Sequence, residues 1–187
     1  MGEQFNHAMI EPAGRDFPVL RRRKGARKGG AEHAPVPGLP GMEITLLPAH
    51  DQALAELISG LLVEAFADPE RYGAPRLREE LRPGEGALYR RFFLARQGET
   101  LLGVGGVKAA DWASNTHVLY LSAVAPLARG QGVARALVAA RVSWVRSQFG
   151  HGRVLVSSHK TRRFTDLGFR SVSDDAASGR QLLVLDF

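Results

Sequence analysis

Residues Val124 to Leu137 read V-A-P-L-A-R-G-Q-G-V-A-R-A-L, and their types and spacing suit the binding of an anion. Gly130 and Gly132 let the backbone approach a ligand, or turn where a side chain would forbid it. A helix starting directly after them presents unpaired N–H groups at its positive dipole end, a natural seat for a pyrophosphate. Arg129 and Arg135 add directional, charge-assisted donors for phosphate oxygens. The apolar run His117–Val124 feeds this turn through Pro126, so the segment reads as a phosphate cradle on a strand–loop–helix unit. An ordinary basic surface turn is the plain alternative. Neither G-x-x-x-x-G-K-[ST] nor G-x-G-x-x-G is present, which excludes the two commonest nucleotide loops.

The elements that must position this cradle are legible from periodicity. Met42–Leu47 is a short strand. Asp51 caps a helix with an apolar stripe at Leu54, Leu57, Ile58, Leu61, Leu62 and Phe66. A second helix covers Pro75–Leu81 and stops at Pro83-Gly84. Tyr89–Arg96 and Leu101–Lys108 form a hairpin around Gln97-Gly98, and Gly103, Gly105 and Gly106 imply a bulge or a close backbone approach. After a polar loop, His117–Val124 is the next strand, and a helix follows from about Gln131 to Gln148. Its apolar rows are Val133/Leu137/Ala140/Trp144 and Val138/Val142/Val145/Phe149. Arg153–Ser158 is a strand, Thr161–Leu167 a short helix closed by Gly168, and Phe169–Ser173 with Leu182–Phe187 a final hairpin. This order predicts a single-domain mixed α/β sheet (α+β) over 42–187.

Residues 1–41 are rich in Gly, Pro and charge, and read as a disordered basic lead-in. They carry a net +3, the same as the remainder of the chain. Arg21-Arg22-Arg23-Lys24, with Arg27 and Lys28, could contact a polyanion such as nucleic acid, although no aromatic residues interleave with the charges. The chain has no cysteine, which excludes disulfides, thiolate zinc sites and a cysteine nucleophile. No apolar run approaches the roughly 20 residues that span a bilayer, and the first residues lack a secretory segment. We therefore expect a cytoplasmic protein with no membrane partner. No His/Asp/Glu cluster has metal-ligand spacing.

The order apolar strand, Val-x-Pro, Arg-Gly-x-Gly-x-Ala, amphipathic helix resembles the acetyl-CoA-binding signature of the GNAT superfamily of N-acetyltransferases, [Q/R]-x-x-G-x-[G/A]. Here Arg129, Gly132 and Ala134 fill it. Phe164-Thr165-Asp166-Leu167-Gly168-Phe169 is similar to a second family segment, Y-x-x-x-G-F, and the element order over 42–187 also fits. The resemblance implies a GNAT-like acyl-CoA N-acyltransferase fold, with acetyl-CoA as the donor cosubstrate. It places the pyrophosphate on Gln131, Gly132, Val133 and Ala134, with Arg129, Gly130 and Arg135 alongside. It sets pantetheine against Ala123 and Val124, whose main-chain N–H region would polarise the thioester carbonyl. Ser157 stands where many members carry an asparagine.

Acetyl transfer to an amine requires the donor to be held, its carbonyl polarised, the amine deprotonated and the leaving thiolate protonated. The family's usual tyrosine acid is replaced by Phe164, which has no proton to give. Tyr120, Ser122 and His159 are the candidate acid–base residues, with His117, Glu64 and Asp68 behind them. Strand alternation puts Tyr120, Ser122 and Val124 on one side. Tyr72 and Trp112 are candidates to close the acceptor side, and Arg76, Arg78 and Arg82 to bind an acidic acceptor. The expected acceptor is a small-molecule amine or amino acid, with a protein N-terminus or lysine second. The other expectations are a homodimer as an open assembly state, a non-catalytic CoA-binding regulatory module, and a nucleic-acid-associated protein led by the tail.

Overall fold

The structure, a computed structural model, describes residues 39–187 apart from 83, 85, 176 and 177, and only the backbone of 174 and 175. The basic run Arg21–Lys28, and the lead-in up to residue 38, lie outside the described residues.

Seven strands form one mixed sheet in the order β1-β2-β3-β4-β5-β7-β6. They are β1 (Met42–Leu46), β2 (Arg90–Gln97), β3 (Thr100–Ala109), β4 (Thr116–Val124), β5 (Arg153–Ser158), β6 (Arg170–Asp175) and β7 (Arg180–Asp186). The first four pair antiparallel, and only β4 and β5 run parallel. The closing hairpin does not simply extend the sheet, because β7 inserts between β5 and β6.

The helices are α1 (Gln52–Phe66), α2 (Pro69–Tyr72), α3 (Ala74–Leu81), α4 (Val133–Gln148) and α5 (Arg162–Thr165). Asp51 caps α1 as expected, its Oδ1 accepting from the Leu54 N–H at 2.9 Å. Leu57 is not part of the buried stripe and is 55% exposed. The one-turn helix α2 was not legible as periodicity; Pro69 opens it and Asp68 caps it.

The sheet buries both faces. One packs against α4 through Phe93, Ala95, Val107, Leu119, Leu137 and Val145, among others. The other packs against α1 and α3 through Ile58, Leu62, Leu77, Leu81, Phe92 and Leu94. The strict alternation of Phe92, Phe93, Leu94 and Ala95 between these two cores is the period-2 signature of a strand covered on both sides.

Two departures from regularity shape the site. β4 and β5 pair only from Thr116 to Val118 against Arg153 to Leu155, so beyond Leu119 the sheet opens into a wedge. In the same stretch β4 carries a bulge. Tyr120 lies opposite Gly106 and Ala123 opposite Val104, which leaves two residues of β4 facing one of β3. Leu121 takes up the extra residue at φ +42°, a backbone region that costs a non-glycine residue energy.

Candidate active site

The bulge corrects the expected alternation. Tyr120 and Ala123 pack in the α1/α3 core, whereas Val124 packs in the α4 core, so Tyr120 and Val124 lie on opposite faces. Periodicity cannot carry through an inserted residue, and the side assignment flips after Leu121.

The wedge forms a cleft of about 430 Å³ beneath the start of α4. Gly132 adopts the left-handed conformation at φ +83° and caps α4 without a side chain. The N–H groups of the first helical turn therefore have no capping partner, unlike those of α1 and α2, which aspartates satisfy. Gly130 is also left-handed, at φ +77°.

Ala123, Val124, Arg129, Gly130, Gly132, Val133, Ala134 and Arg135 all line this cleft. Two expected donor-site residues do not. The Gln131 side chain donates to the Leu127 carbonyl (2.7 Å). Ser157 lies in a neighbouring cavity, where Arg180 donates to its hydroxyl and carbonyl oxygens (3.1 and 2.7 Å). Splaying of β4 from β5 carries Ser157 away from the cradle. The Arg135 guanidinium is paired with Asp166 at 2.6 Å.

The Ala125 N–H donates to the Leu102 carbonyl (2.9 Å), so Val124 occupies a non-hydrogen-bonded position opposite Gly103. Its own N–H and C=O consequently point away from β3, into the wedge. The carbonyl accepts from Arg129 Nε at 3.3 Å. A backbone donor aimed into a cleft suits a carbonyl that gains negative charge.

A second cavity, about 630 Å³, opens on the α1/α3 side. Ala65, Ser122, Lys160, Arg163 and Phe164 line both cavities and form their junction. Tyr120, His159 and Tyr72 line the second cavity as expected. His117 does not: it is buried at the far end of β4, with Nδ1 2.7 Å from the Tyr89 hydroxyl, and burial lowers its pKa. Asp68 is occupied as a helix cap, and Glu64 lines neither cavity. Trp112 is 70% exposed on a loop and closes nothing. Of Arg76, Arg78 and Arg82 only Arg76 lines the cavity; Arg78 pairs with Glu56, and Arg82, the residue after α3, with Glu79.

Burial, and then the nearby charge of Glu80, raise the Tyr120 pKa far above that of a free phenol, so the ring stays neutral. Its hydroxyl is buried beside Glu80, and a hydrogen bond to that carboxylate adds to the rise. Glu80 is the only acid among the described residues lining this cavity, and its nearest cation is Arg90 at 3.9 Å. Phe164 is buried, packed edge-on against Phe169 at 5.5 Å, and offers no proton.

The largest surprise is Arg141, 1% exposed in the middle of α4. It donates to the carbonyls of Leu137 and Gly106 and to the Ser122 hydroxyl, each at 2.9 Å. All three acceptors are neutral. Burial, and then the proximity of Arg163, push its pKa down to about 9, so it stays charged at neutral pH. Its room comes from β3: a Cβ on Gly105 would sit 2.7 Å from the guanidinium carbon, and one on Gly106 2.7 Å from the Tyr120 ring. A charged residue interrupting the buried rows of α4, beside a Gly-Gly pair in a strand, was the signal that periodicity alone passes over.

The sequence profile of the Acetyltransferase (GNAT) family matches residues 56–169. The chain belongs to the GNAT family. That span runs from α1 through the cradle to the Gly168-Phe169 turn and contains both cavities' principal walls. GNAT-fold structures share the architecture at low identity. Aminoglycoside 6'-acetyltransferase type Ii is 19% identical with a TM-score of 0.62, covering 77% of this chain and 96% of that one. A PaiA N-acetyltransferase from Thermoplasma acidophilum, solved with coenzyme A, is 15% identical with a TM-score of 0.57, covering 78% and 99%. The ribosomal-protein-S18-alanine N-acetyltransferase of Escherichia coli is 16% identical with a TM-score of 0.56, covering 78% and 93%. No curated protein matches the chain. At these identities the structures establish the fold, and the family establishes acetyl-CoA-dependent transfer as its chemistry. Among the described residues no helix is long and apolar enough to cross a membrane, and no group of acids and histidines is placed to hold a metal.

Proposed function

We propose that this protein is an N-acetyltransferase that acetylates a small primary amine by direct attack in a ternary complex. One observation carries the reading: the uncapped α4 N-terminus, the outward N–H of Val124 and a second cavity lie along one continuous path through Ser122. Acetyl-CoA supplies the activated acetyl group. The N–H groups of α4 and Gly132 hold its phosphates, and Val124 N–H polarises the carbonyl.

The amine attacks the carbonyl carbon as the carbon–sulfur bond breaks, and one proton must leave nitrogen while sulfur gains one. Glu80 is placed to accept the amine proton, since it is the one carboxylate among the described residues lining this cavity. Tyr120 is too firmly protonated to act as a base. Ser122 Oγ accepts from Arg141 and holds a long 3.4 Å hydrogen bond to the Tyr120 carbonyl, from which its proton can turn toward the junction when the donor is bound. Ser122 and Phe164 line both cavities, so this hydroxyl would supply at the junction the proton that Phe164 lacks. His159, an exposed ring with Nδ1 3.2 Å from the Gly179 carbonyl, lies further out on the cavity rim.

The same Phe164 favours a second reading, a CoA-binding module without catalysis. Two measurements separate them. Acetyl-CoA at about 100 times its dissociation constant adds roughly 2.7 kcal/mol to the native state, raising the unfolding midpoint by about 5–10 °C at this length. Absence of any shift at millimolar acetyl-CoA removes both readings. A shift without thiol release across an amine panel leaves only the module.

A further inference from the structure

Resting on the reading of the second cavity as the amine site, we propose that the acceptor is an amine bearing carboxylates, a dicarboxylic amino acid in charge and size. Arg163 holds one carboxylate at the junction, and Lys108 with Arg76 holds the other.

The charge of the cavity carries this inference. Among the described residues its lining holds six cations and the single carboxylate of Glu80. One cation, Arg180, is spent on Ser157. Arg76, Lys108 and Arg163 make no salt bridge to any described side chain within 4.0 Å; the ion pairs among the described residues lie on Arg78, Arg82, Arg90, Arg96, Arg135, Arg153 and Arg170.

The cations are also held in place. Lys108 Nζ sits 4.7 Å from the centre of the Tyr120 ring, and the Arg163 guanidinium 5.0 Å from that of Phe164. Arg76 lies over Tyr72 and donates to the Arg71 carbonyl at 2.7 Å. Aromatic faces fix these groups without neutralising them.

Burial sharpens the argument. Arg163 Nε is buried with no hydrogen-bond partner, and Arg141 behind it is a fully buried cation whose partners are all neutral. Buried like charges without a counter-ion are costly, and a carboxylate at the junction offsets that cost. A low-dielectric cleft of one sign also concentrates oppositely charged ligands and repels polycations. Glu80, the one opposing group, faces the ammonium that such a substrate carries.

Thiol release from acetyl-CoA, measured with glutamate, aspartate, glutamine, asparagine, butylamine and spermidine, tests the inference. We expect kcat/KM for the dicarboxylic amino acids to exceed that for their amides by about tenfold or more, the worth of a charge-assisted hydrogen bond. Arg163→Gln and Lys108→Gln should each lower that ratio. Arg78→Gln, the same charge change outside the cavity, should leave it. Equal or faster turnover of the amides, butylamine or spermidine by the wild-type protein overturns the inference and leaves the acetyltransferase reading intact. Should no amine release thiol, that reading fails and thermal unfolding decides the inference. Stabilisation by glutamate over glutamine, removed by Arg163→Gln or Lys108→Gln, sustains it; equal stabilisation or none overturns it.

Discussion

The two cavities meet at Ser122 and Phe164 but are built by different means. The donor cleft is made of backbone: a left-handed glycine, the first turn of α4, and an N–H of β4 freed by the wedge. Its residues are nearly contiguous, from Ala123 to Arg135, so local chemistry specifies it. The proposed acceptor cavity is made of side chains from α1, α2, α3, β3, β4, β5, α5 and β7, short stretches spread along the chain. A ligand portion common to many enzymes can be held by main-chain geometry, whereas selectivity for an acceptor needs particular charges in particular places. Loss of function should therefore follow different rules on the two sides.

Four substitutions probe that difference. The largest effect is expected on the acceptor side. Glu80→Gln, nearly unchanged in volume, should lower kcat by about 10²–10⁴, the usual contribution of a positioned acid or base. The thermal shift with acetyl-CoA should stay as in the wild type. A kcat within threefold of wild type would remove Glu80 from the proton path.

On the donor side, Gly132→Asp forces a left-handed conformation costing about 1–2 kcal/mol and sets a carboxylate where phosphate belongs. Acetyl-CoA affinity should fall by at least about tenfold, read as a lost thermal shift, with the preference among amines unchanged. A retained shift would place the pyrophosphate elsewhere.

The smallest effect lies at the seam. Arg141→Met exchanges a buried cation for an apolar chain of similar length, which removes the cost of keeping an unpaired charge out of water and sets it against three lost hydrogen bonds. The unfolding midpoint should hold or rise while kcat falls, because Ser122 loses its donor. A falling midpoint with unchanged kcat would make Arg141 purely structural. Gly105→Ala tests the same seam sterically. Overpacking costs about 1–3 kcal/mol and should lower the midpoint by several degrees.

The cradle was legible because its physics is local. Glycine spacing and a helix start suffice to mark a tight turn before α4, and Gly130 and Gly132 take left-handed conformations there at the edge of a cleft. Asp51, the α4 apolar rows and the Gly168-Phe169 turn were legible for the same reason. Tyr120 and Val124 were placed on one side because alternation assumes an unbroken pleat, and the residue inserted near Leu121 is visible only once β3 supplies a register. His117 looked available on its strand, but burial beside Tyr89, Phe149 and Phe187 comes from elements far away in the chain.

Sequence alone thus determined the strands and the longer helices, the mixed sheet and the glycine turn before α4, because hydrophobic periodicity and backbone conformational preference act over a few residues. Only the tertiary structure decided which charges converge. Arg141, Arg163, Lys108 and Glu80 are unremarkable surface-type residues in the sequence. Long-range packing withdraws them from water, and desolvation and proximity then turn them into a site.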